Sequence, residues 1–543
     1  MFRFNQNQLN KEFDLIVIGG GINGCGIARD ASERGLKVLL LEKEDFGSGC
    51  TSASSRLIHG GLRYLEHFEF DLVRESLCER EILLNNARHL VHPIELSMPI
   101  YKNDKRSYWL IKAGMILYDL LSFDKSLQSH KMVSSKYFKI HEPSVTDKDL
   151  TGGAIFNDCQ SEYPERICLE NILMAKENKA LTLNHAKVTK FNLEINKIKN
   201  IEFVDSLTSG VFLVSGKVVV NASGPWVDIL CGLVRPDINR KIGGTKGSHI
   251  IIKKFDNGPK QALYVSARSD GRPFFIIPWQ DYYLIGTTDI PYTGDLEHLK
   301  PTEEEINYLL NESNNILSVK RLSKSDILFT YSGVRPLPYK PGEDPSNITR
   351  KHIIFDHSNE QIENLISVIG GKLTTYRHLS EQVVDLVLKK NNIENIPCKT
   401  KEIPYLRNID SDIDRYFQQQ YKKVQKKYGI DSDIFEHLVK LYGSQYKNVL
   451  DLVLKEKELG YLIDSHSLDI KAQIIYAIQS EMAYTITDVL LRRTTLGLNE
   501  KLGVDSVSHV ADILKEQLSY TDTEIKKQVS DYQANVVKLR TLL

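Results

Sequence analysis

Three glycines and one acid form the clearest chemical pattern in the chain. Gly19, Gly21 and Gly24 give G-x-G-x-x-G directly after the apolar residues 15–18, and Glu42 ends the next apolar run. In a strand–helix–strand unit, such glycines allow a tight turn, close approach of a pyrophosphate and tight helix packing. The acid then binds a ribose hydroxyl. The spacing predicts dinucleotide binding, and a glycine-rich turn in an unrelated α/β core is the alternative.

A cation and an imidazole follow in the next predicted helix. Arg63 and His67 are four residues apart in LRYLEHFEFDLV, so on an α-helix they share a face. Such a pair could bind an anionic substrate and move a proton. The alternative is a solvated helix face on which Glu66 neutralises Arg63.

Three further segments carry basic side chains beside small residues. TKGSH ends in His249, TYSGVRPL carries Arg335, and GGKLTTY carries Lys372 just before a predicted helix start. An arginine fork suits a phosphate group, and a helix N-terminus favours negative charge next to it. Each segment alone also fits a surface arginine or a capped helix.

The loop after Glu42 is rich in small and hydroxylated residues. DFGSGCTSASSRLIHGG offers backbone N–H groups and hydroxyls, including those of Thr51, Ser52, Ser54 and Ser55. A pyrophosphate or a cofactor ring needs such donors and a close backbone approach. A flexible surface loop is the alternative.

The elements that must position these residues alternate along the chain. A βαβ unit occupies the first 75 residues or so, strands return in 181–224, and residues 245–340 contain short strands typical of an antiparallel sheet. Residues 363–370 form another buried strand before a helix, and the pattern from 408 onward is helical. This layout fits a flavin enzyme better than a nicotinamide dehydrogenase.

Composition narrows the class of protein. A chain of 543 residues is too long for a single hydrophobic core, so we expect two or three domains. Lys+Arg and Asp+Glu both number 70, and the chain therefore lacks the excess of basic residues that would indicate a nucleic-acid partner. The seven scattered cysteines lack metal-ligand spacing, which predicts reduced thiols, a cytoplasmic location and no metal site. The N-terminal residues lack the apolar core of a secretion signal, and no apolar run is long enough to span a bilayer.

The most apolar stretch is residues 109–123, WLIKAGMILYDLLSF. It is too short to span a membrane and carries Lys112 and Asp119. We interpret it as a buried or capping helix, with contact to a membrane surface as the alternative.

Taken together, the motifs resemble those of FAD-dependent, quinone-linked glycerol-3-phosphate dehydrogenases. The matching runs are IVIGGGINGCGIARDA, SSRLIHGGLRYLEH, NASGPWV, KGSHI, IGTTD, YSGVRPL and GGKLTTYRHL, with EMAYTITDVLLRRT in the helical tail. The resemblance extends from about residue 13 to the end of the chain. It implies an α/β fold: a glutathione-reductase-like FAD-binding Rossmann domain, an inserted antiparallel-sheet substrate domain and a C-terminal all-α domain. We expect the FAD-binding domain at 11–78, 151–235 and 346–390. We expect the substrate domain at 79–150 and 236–345, and the C-terminal helical domain at 400–543.

The resemblance also implies site residues. The active-site positions of the family fall on Arg63, Tyr64, His67, His249, Arg335, Arg350 and Lys372. The FAD contacts fall on Gly19, Gly21, Ile22, Asn23, Gly24, Glu42, Thr51, Ser52, Ser54, Ser55, Gly61, Val188, Gly224, Gly371, Lys372, Leu373 and Thr374. Either His249 or His67 is the expected base, and Lys372 would polarise the substrate oxygen or support charge on the reduced flavin. We expect non-covalent FAD, because no motif marks an attachment residue; His59 and Cys50 are the nearest candidates in the loop.

The reaction implied is oxidation of sn-glycerol 3-phosphate to dihydroxyacetone phosphate, with hydride transfer to flavin N5 and electrons passed to a membrane quinone. This requires a cytoplasmic protein attached peripherally to the inner membrane. The alternatives are an oxidase that uses O₂ and releases H₂O₂, and a non-catalytic FAD-binding protein. The sequence leaves a homodimer open.

Overall fold

The computed structural model describes residue 4 and residues 6–343, 348–394 and 396–542. Its strands are β1 (Phe13–Ile18), β2 (Val38–Leu41), β3 (Leu57–Ile58), β4 (His92–Tyr101), β5 (Lys131–Ser134), β6 (Leu150–Gln160), β7 (Leu181–Leu183), β8 (Ala186–Glu194), β9 (Lys197–Asp205), β10 (Gly210–Val214), β11 (Gly216–Asn221), β12 (Thr245–Lys253), β13 (Ala262–Ser266), β14 (Pro273–Trp279), β15 (Tyr282–Gly286), β16 (Ile290–Pro291), β17 (Ile327–Arg335), β18 (Ile353–Asp356) and β19 (Leu365–Ile369). Its helices are α1 (Ile22–Glu33), α2 (Phe70–Asn86), α3 (Tyr108–Leu121), α4 (Ser135–His141), α5 (Pro164–Glu177), α6 (Val227–Val234), α7 (Glu303–Ile316), α8 (Tyr376–Lys390), α9 (Ile413–Tyr428), α10 (Ser432–Tyr442), α11 (Tyr446–Lys455), α12 (Lys471–Ser480), α13 (Ile486–Asp488), α14 (Val507–Leu518), α15 (Asp522–Tyr532) and α16 (Lys538–Arg540).

The first sheet is six-stranded, in the order β18-β19-β11-β1-β2-β7. Its strands run parallel except β18, which is antiparallel to β19. Leu15 and Val17 face the core shared with α1, α5 and α8, whereas Ile16 and Ile18 face the three-stranded sheet β10-β9-β8. Both faces are covered, which explains why β1 is apolar without alternation. The carboxyl ends of its parallel strands form the crevice in which such sheets bind ligands.

The second sheet is larger and mostly antiparallel, in the order β16-β12-β15-β14-β13-β4-β6-β3. β17 also pairs with β12, and His249 lies opposite Tyr331 in that pairing. Strands β3 and β6 join this sheet from segments that we assigned to the FAD-binding domain. The division into domains at the stated boundaries stays a prediction.

From α9 onward the described chain is helical, as the pattern after residue 408 predicts. Buried ion pairs join this part to the rest of the molecule. Arg493 bonds Asp45 at 2.6 Å, and Glu481 accepts bonds from Arg166 at 2.9 Å and pairs with Arg407 at 2.7 Å. Since burying unpaired charge is costly, these pairs fix how the helices dock.

Two predictions about helices are wrong. The single helix expected after Gly61 is a 3₁₀ helix, Leu62–His67, followed by the separate α2. A 3₁₀ helix has three residues per turn, so Arg63 and His67 do not share a face as they would on an α-helix. Residues 109–121 lie in helix α3, but only Met115 and Tyr118 of α3 are buried, so a fully buried helix is wrong and a capping helix stays a prediction. Within the described ranges, no helix is both long and apolar enough to cross a membrane.

Candidate active site

A cavity of about 960 Å³ lies at the carboxyl ends of β1, β2, β11 and β19. Its walls include the glycine turn after β1, Glu42 after β2, Ser223 and Gly224 after β11, and residues 370–374 after β19. The chain therefore converges at the crevice of the parallel sheet, where the topology predicts a ligand.

The glycine turn leaves no room for side chains. A Cβ on Gly24 would lie 1.9 Å from the carbonyl oxygen of Gly19, and one on Gly19 would lie 2.7 Å from that of Ala222. Gly19 also has φ of +109°. The turn therefore requires glycine at both positions, and it holds the start of α1 against the cavity.

Glu42 is buried beside this turn. Its Oε2 accepts a hydrogen bond from Gly20 N at 2.6 Å, and its Oε1 accepts one from Glu44 N at 2.8 Å. Burial raises the pKa of its carboxyl to about 7. The group is thus poised to change charge when a hydroxyl donor arrives.

The loop of small residues closes over the helix start. Thr51 Oγ1 accepts a hydrogen bond from Ile22 N at 3.1 Å, and Ser52 donates back to the carbonyls of Ser48 and Gly49. Ser55 Oγ lies 3.0 Å from His249 Nε2. The loop is therefore an ordered wall that joins the glycine turn to His249.

Most of the predicted cofactor contacts line this cavity. They are Gly19, Gly21, Ile22, Asn23, Glu42, Thr51, Ser52, Ser54, Ser55, Val188, Gly224, Gly371, Lys372, Leu373 and Thr374. Gly24 lies behind the turn, against Gly19, and Gly61 lines a smaller neighbouring cavity. The assignment of these residues as FAD contacts stays a prediction.

His249 lies on the cavity wall with 2% exposure. Its ring stacks on Tyr331, with 4.7 Å between the ring centroids, and its Nδ1 is buried without a partner among the described residues. Burial, together with the charges of Arg335 and Arg56, lowers the pKa of His249 to about 3. The imidazole is therefore neutral, and its proton affinity is lower than that of a free imidazole.

Two arginines share one carboxylate at the edge of the same cavity. Asp289 accepts from Arg335 Nη1 at 3.0 Å and from Arg350 Nη2 at 2.9 Å. Burial would raise the pKa of Asp289, but the two guanidinium groups outweigh it and hold the pKa below its usual range. Arg350 Nη1 is buried without a partner among the described residues. The cluster therefore has an excess of positive charge, and it can bind an anion.

A smaller cavity of about 190 Å³ shares Ser55, His59, Tyr64, Arg335 and Arg350 with the large one. Arg63 and His67 also line it, from the 3₁₀ helix. Glu66 pairs with Arg106, so the interpretation in which Glu66 neutralises Arg63 is wrong. In the part of the chain that the structure describes, Arg63 has no carboxylate partner. The two cavities thus meet at a cationic junction.

Lys372 lies at this junction, but its ammonium points toward backbone oxygens. Its Nζ donates to the carbonyls of His59 and Gly60, both at 3.3 Å, and to Ser76 Oγ at 2.8 Å. Burial lowers the pKa of Lys372 to about 7. In this arrangement Lys372 braces the turn at 59–60 and can exchange a proton near neutral pH.

Sequence reasoning missed several residues of the site. Asp289 ends the matching run IGTTD, and its position directly after the strand and turn was a usable signal. His59, which the sequence indicated only as a candidate for flavin attachment, lines both cavities, and burial lowers its pKa to about 4. Arg492 and Arg540, from the helical tail, also line the large cavity. No local pattern could reveal them, since docking of the tail brings them there.

The large cavity fits an extended dinucleotide such as FAD. It reaches from Glu42 to Lys372, and it offers the buried, unpartnered Oδ1 of Asn23 and Nδ1 of His249. Buried polar atoms without partners mark places where a ligand supplies the hydrogen bond. The glycine turn adds a backbone surface that a pyrophosphate can approach.

Comparison with known proteins decides the family. A family model described as FAD dependent oxidoreductase matches residues 14–371, and the model for the C-terminal domain of alpha-glycerophosphate oxidase matches residues 398–525. A glycerol-3-phosphate dehydrogenase of Synechocystis is 45% identical over 540 residues, covering 96% of each chain. The chain belongs to the FAD-dependent glycerol-3-phosphate dehydrogenase family.

Two other members show the extent of the likeness. An aerobic glycerol-3-phosphate dehydrogenase of Staphylococcus aureus is 35% identical, over 97% of this chain and 95% of its own. The solved glycerol-3-phosphate dehydrogenase of Bacillus halodurans, complexed with FAD, superimposes with a TM-score of 0.81 at 29% identity. That match covers 98% of this chain and 96% of the other.

Family membership confirms three of our predictions. The fold is that of FAD-dependent oxidoreductases, with mixed sheets and a C-terminal all-helical part. The protein is an FAD-dependent enzyme. The resemblance drawn from the sequence motifs is correct.

Proposed function

We propose that the protein oxidises sn-glycerol 3-phosphate to dihydroxyacetone phosphate and passes the electrons to a membrane quinone. The observation that carries this proposal is the cationic junction at the small cavity. Its lining holds four guanidinium groups but two carboxylates, and these belong to Arg63, Arg272, Arg335 and Arg350 and to Glu69 and Asp289. A phosphate dianion supplies the missing charge, and the arginine fork bonds two of its oxygens at once. The names of the relatives give the same substrate.

Each group of residues at the site has its own role in the reaction. Arg335, Arg350 and Arg63 hold the phosphate, and the Tyr64 hydroxyl and ring close the small cavity around the carbon chain. His249 takes the proton of the C2 hydroxyl, with His67 as the other candidate. When bound, FAD supplies at N5 the acceptor for the hydride that leaves C2. Loss of one proton and one hydride converts the C2 alcohol to a carbonyl, and two electrons then reach the quinone.

His249 suits the role of base better than His67 does. His67 is exposed, whereas His249 is buried, neutral and held at 3.0 Å by Ser55. Burial is the largest cause of the low pKa of His249, and the charge of Arg335 is the second. A phosphate dianion on Arg335 offsets that charge, so substrate binding raises the proton affinity of the imidazole. The substrate itself thus activates the base.

The test separates the half-reaction from the acceptor. Purified protein with bound FAD is mixed anaerobically with sn-glycerol 3-phosphate, and flavin absorbance is followed; glycerol serves as the control without phosphate. We expect sn-glycerol 3-phosphate to bleach the flavin and glycerol to leave it oxidised. No bleaching would indicate a non-catalytic FAD-binding protein, and equal bleaching by glycerol would refute the phosphate site.

A soluble quinone analogue or O₂ is then admitted to the reduced protein. We expect reoxidation by the quinone to be much faster than reoxidation by O₂. Stoichiometric H₂O₂ at the full rate in air would instead establish an oxidase, which is the second candidate because the C-terminal family model is described by that activity.

A further inference from the structure

A buried carboxylate lies behind the wall of the candidate active site. Glu305, in the first turn of α7, is 4% exposed and is not among the described residues that line the two cavities. Its Oε2 accepts a hydrogen bond from Thr302 N at 2.9 Å and pairs with Lys246 Nζ at 2.8 Å. Its Oε1 accepts from Ser248 Oγ at 2.8 Å and from Thr288 Oγ1 at 2.6 Å. Capping of α7 uses only the contact with Thr302, so the other contacts indicate a second role.

Thr288 connects this carboxylate to the arginine cluster. Its hydroxyl donates to Glu305 and accepts a hydrogen bond from Ser248 N at 2.9 Å, so the side chain is held on two sides. Its carbonyl oxygen accepts from Arg335 Nη1 and Nη2, both at 3.4 Å. This one residue therefore bonds Glu305 through its side chain and Arg335 through its backbone.

The residues on either side of Thr288 complete a cradle for Arg335. Thr287 Oγ1 accepts from Arg335 Nη2 at 3.1 Å, and Asp289 accepts from Nη1 at 3.0 Å. We call residues 287–289 the arginine cradle. Because a guanidinium group is planar and bonds two oxygens of a phosphate as a fixed fork, the position of the arginine cradle sets the direction of that fork.

The strands beside the arginine cradle are anchored to the same carboxylate. Ser248 and His249 are neighbours on β12, so their side chains point to opposite faces of the sheet. His249 lines the cavity, whereas Ser248 Oγ bonds Glu305 and lies 2.8 Å from Ser332 Oγ on β17. A buried polar network whose members are bonded to one another is rigid. Glu305 therefore fixes the arginine cradle relative to β12 and β17, the strands that carry His249 and Arg335.

We propose that Glu305 is a positioning residue for phosphate binding, acting through Thr288 on Arg335. Both residues work from behind the wall, where they hold the fork of Arg335 in the direction in which it bonds the phosphate of sn-glycerol 3-phosphate. A displacement of about 1 Å in a group that positions substrate can cost about 100-fold in rate. The inference deepens the proposed function, on which it rests, because it names residues outside the cavities that set their affinity for phosphate.

The test uses Thr288→Val as its main variant, because Glu305→Gln leaves the ammonium group of Lys246 buried without its carboxylate and can fail to fold. Valine lacks the hydroxyl, so it cuts the link between Glu305 and the arginine cradle while the ion pair with Lys246 stays. Thr288→Ser keeps the hydroxyl and is the conservative variant. Thr494→Val is the matched control, because that buried threonine donates to the Val489 carbonyl at 2.7 Å in the helical tail.

Titration calorimetry of the oxidised, FAD-loaded proteins measures their affinity for inorganic phosphate. We expect Thr288→Val to raise the Kd at least about tenfold, because the fork of Arg335 loses its direction. Thr288→Ser and Thr494→Val should keep the Kd within about twofold of the wild-type value. In the Arg335→Ala background Thr288→Val should have little further effect, since residues that act through one contact are not additive. Glu305→Gln, where it folds and loads FAD, should match Thr288→Val.

A wild-type Kd in Thr288→Val would refute the proposal. An equal loss of affinity in Thr288→Ser or Thr494→Val would also overturn it, as would a loss that persists in full in the Arg335→Ala background, because each would reflect a general loosening of the fold.

Flavin bleaching by sn-glycerol 3-phosphate tests the proposed function separately. A wild type that binds phosphate but is not bleached would refute the proposed function, while the phosphate affinities would still judge the role of Glu305. A wild type that binds no phosphate would refute the anion site and, with it, this role.

Discussion

At the scale of single residues, the arginine cluster is the feature with the sharpest consequence. Asp289 pairs with both Arg335 and Arg350, whereas Arg63 lines the small cavity with no carboxylate partner in the described ranges. We expect Arg335→Ala and Arg63→Ala each to cost about 1.5–3 kcal/mol of transition-state binding, or roughly 10- to 150-fold in kcat/KM. Steady-state kinetics with a quinone analogue measures this loss, with exposed Arg321→Ala as the control. Near wild-type efficiency in either variant would show that its arginine is structural.

The choice between the two histidines is settled by the rate of flavin reduction. Replacing the true base by Asn should slow anaerobic reduction by roughly 10²–10⁴-fold, because the C2 proton loses its acceptor. We expect this for His249→Asn and a much smaller effect for His67→Asn, measured by stopped-flow absorbance. If neither variant slows reduction, another group, such as the neighbouring His59, takes the proton.

Glu42 should make FAD affinity depend on pH. Burial raises its pKa to about 7, whereas a ribose hydroxyl bonds best to the charged carboxylate. Binding near neutral pH therefore expels a proton. Affinity should be full above pH 7 and fall by up to about tenfold per pH unit below it. Flavin fluorescence titration of apo-protein should show this slope, Glu42→Gln should flatten it, and exposed Glu12→Gln should keep it.

At the scale of elements, the close packing of α1 against β1 requires glycine at position 24, because a side-chain carbon there would collide with the turn. Gly24→Ala would put a Cβ 1.9 Å from the Gly19 carbonyl and push α1 away from the strand. We expect a loss of about 1–3 kcal/mol in unfolding free energy together with weaker FAD binding. Gly232→Ala, in α6 with open space around it, should be neutral or stabilise by up to about 1 kcal/mol. Urea unfolding and FAD titration measure both, and an FAD-replete, stable Gly24→Ala would contradict this account.

The elements also differ in how well the sequence predicts them. The strand, glycine turn, helix and second strand were predictable because each depends on local pattern and because the glycines meet within a few residues. The 3₁₀ form of residues 62–67 was not, since the energetic difference from an α-helix depends on packing. The exposure of α3 was considered only as the alternative, because apolar content by itself favours burial.

At the scale of the whole molecule, Glu481 joins the helical tail to the rest. It is buried between Arg166 and Arg407, which hold its pKa below the usual range despite burial. Glu481→Gln leaves two buried guanidinium groups without this carboxylate, so we expect a loss of about 3–5 kcal/mol in unfolding free energy. Chemical denaturation measures this, with exposed Glu516→Gln as the control. A loss no larger than that of the control would show that the network contributes little.

For the whole molecule, contacts between residues far apart in the sequence were the features that we could not predict. The resemblance placed His249, Arg335, Arg350 and Lys372 at one site, and all four line the large cavity. The carboxylate that organises the arginines was not assigned, because Asp289 meets Arg335 and Arg350 across 46 and 61 residues. Arg492 and Arg540 reach the cavity only after the tail has docked, which no local pattern encodes.

The tail residues on the cavity wall also constrain how the molecule is made. Asn535, Leu539 and Arg540 line the large cavity, and Thr330 donates a hydrogen bond to the Arg540 carbonyl. A ribosome translates these residues after every other part of the wall. While the chain is being synthesised, the crevice of the parallel sheet is therefore open on that side. Closure of the pocket is thus completed only after α16 has left the ribosome and docked.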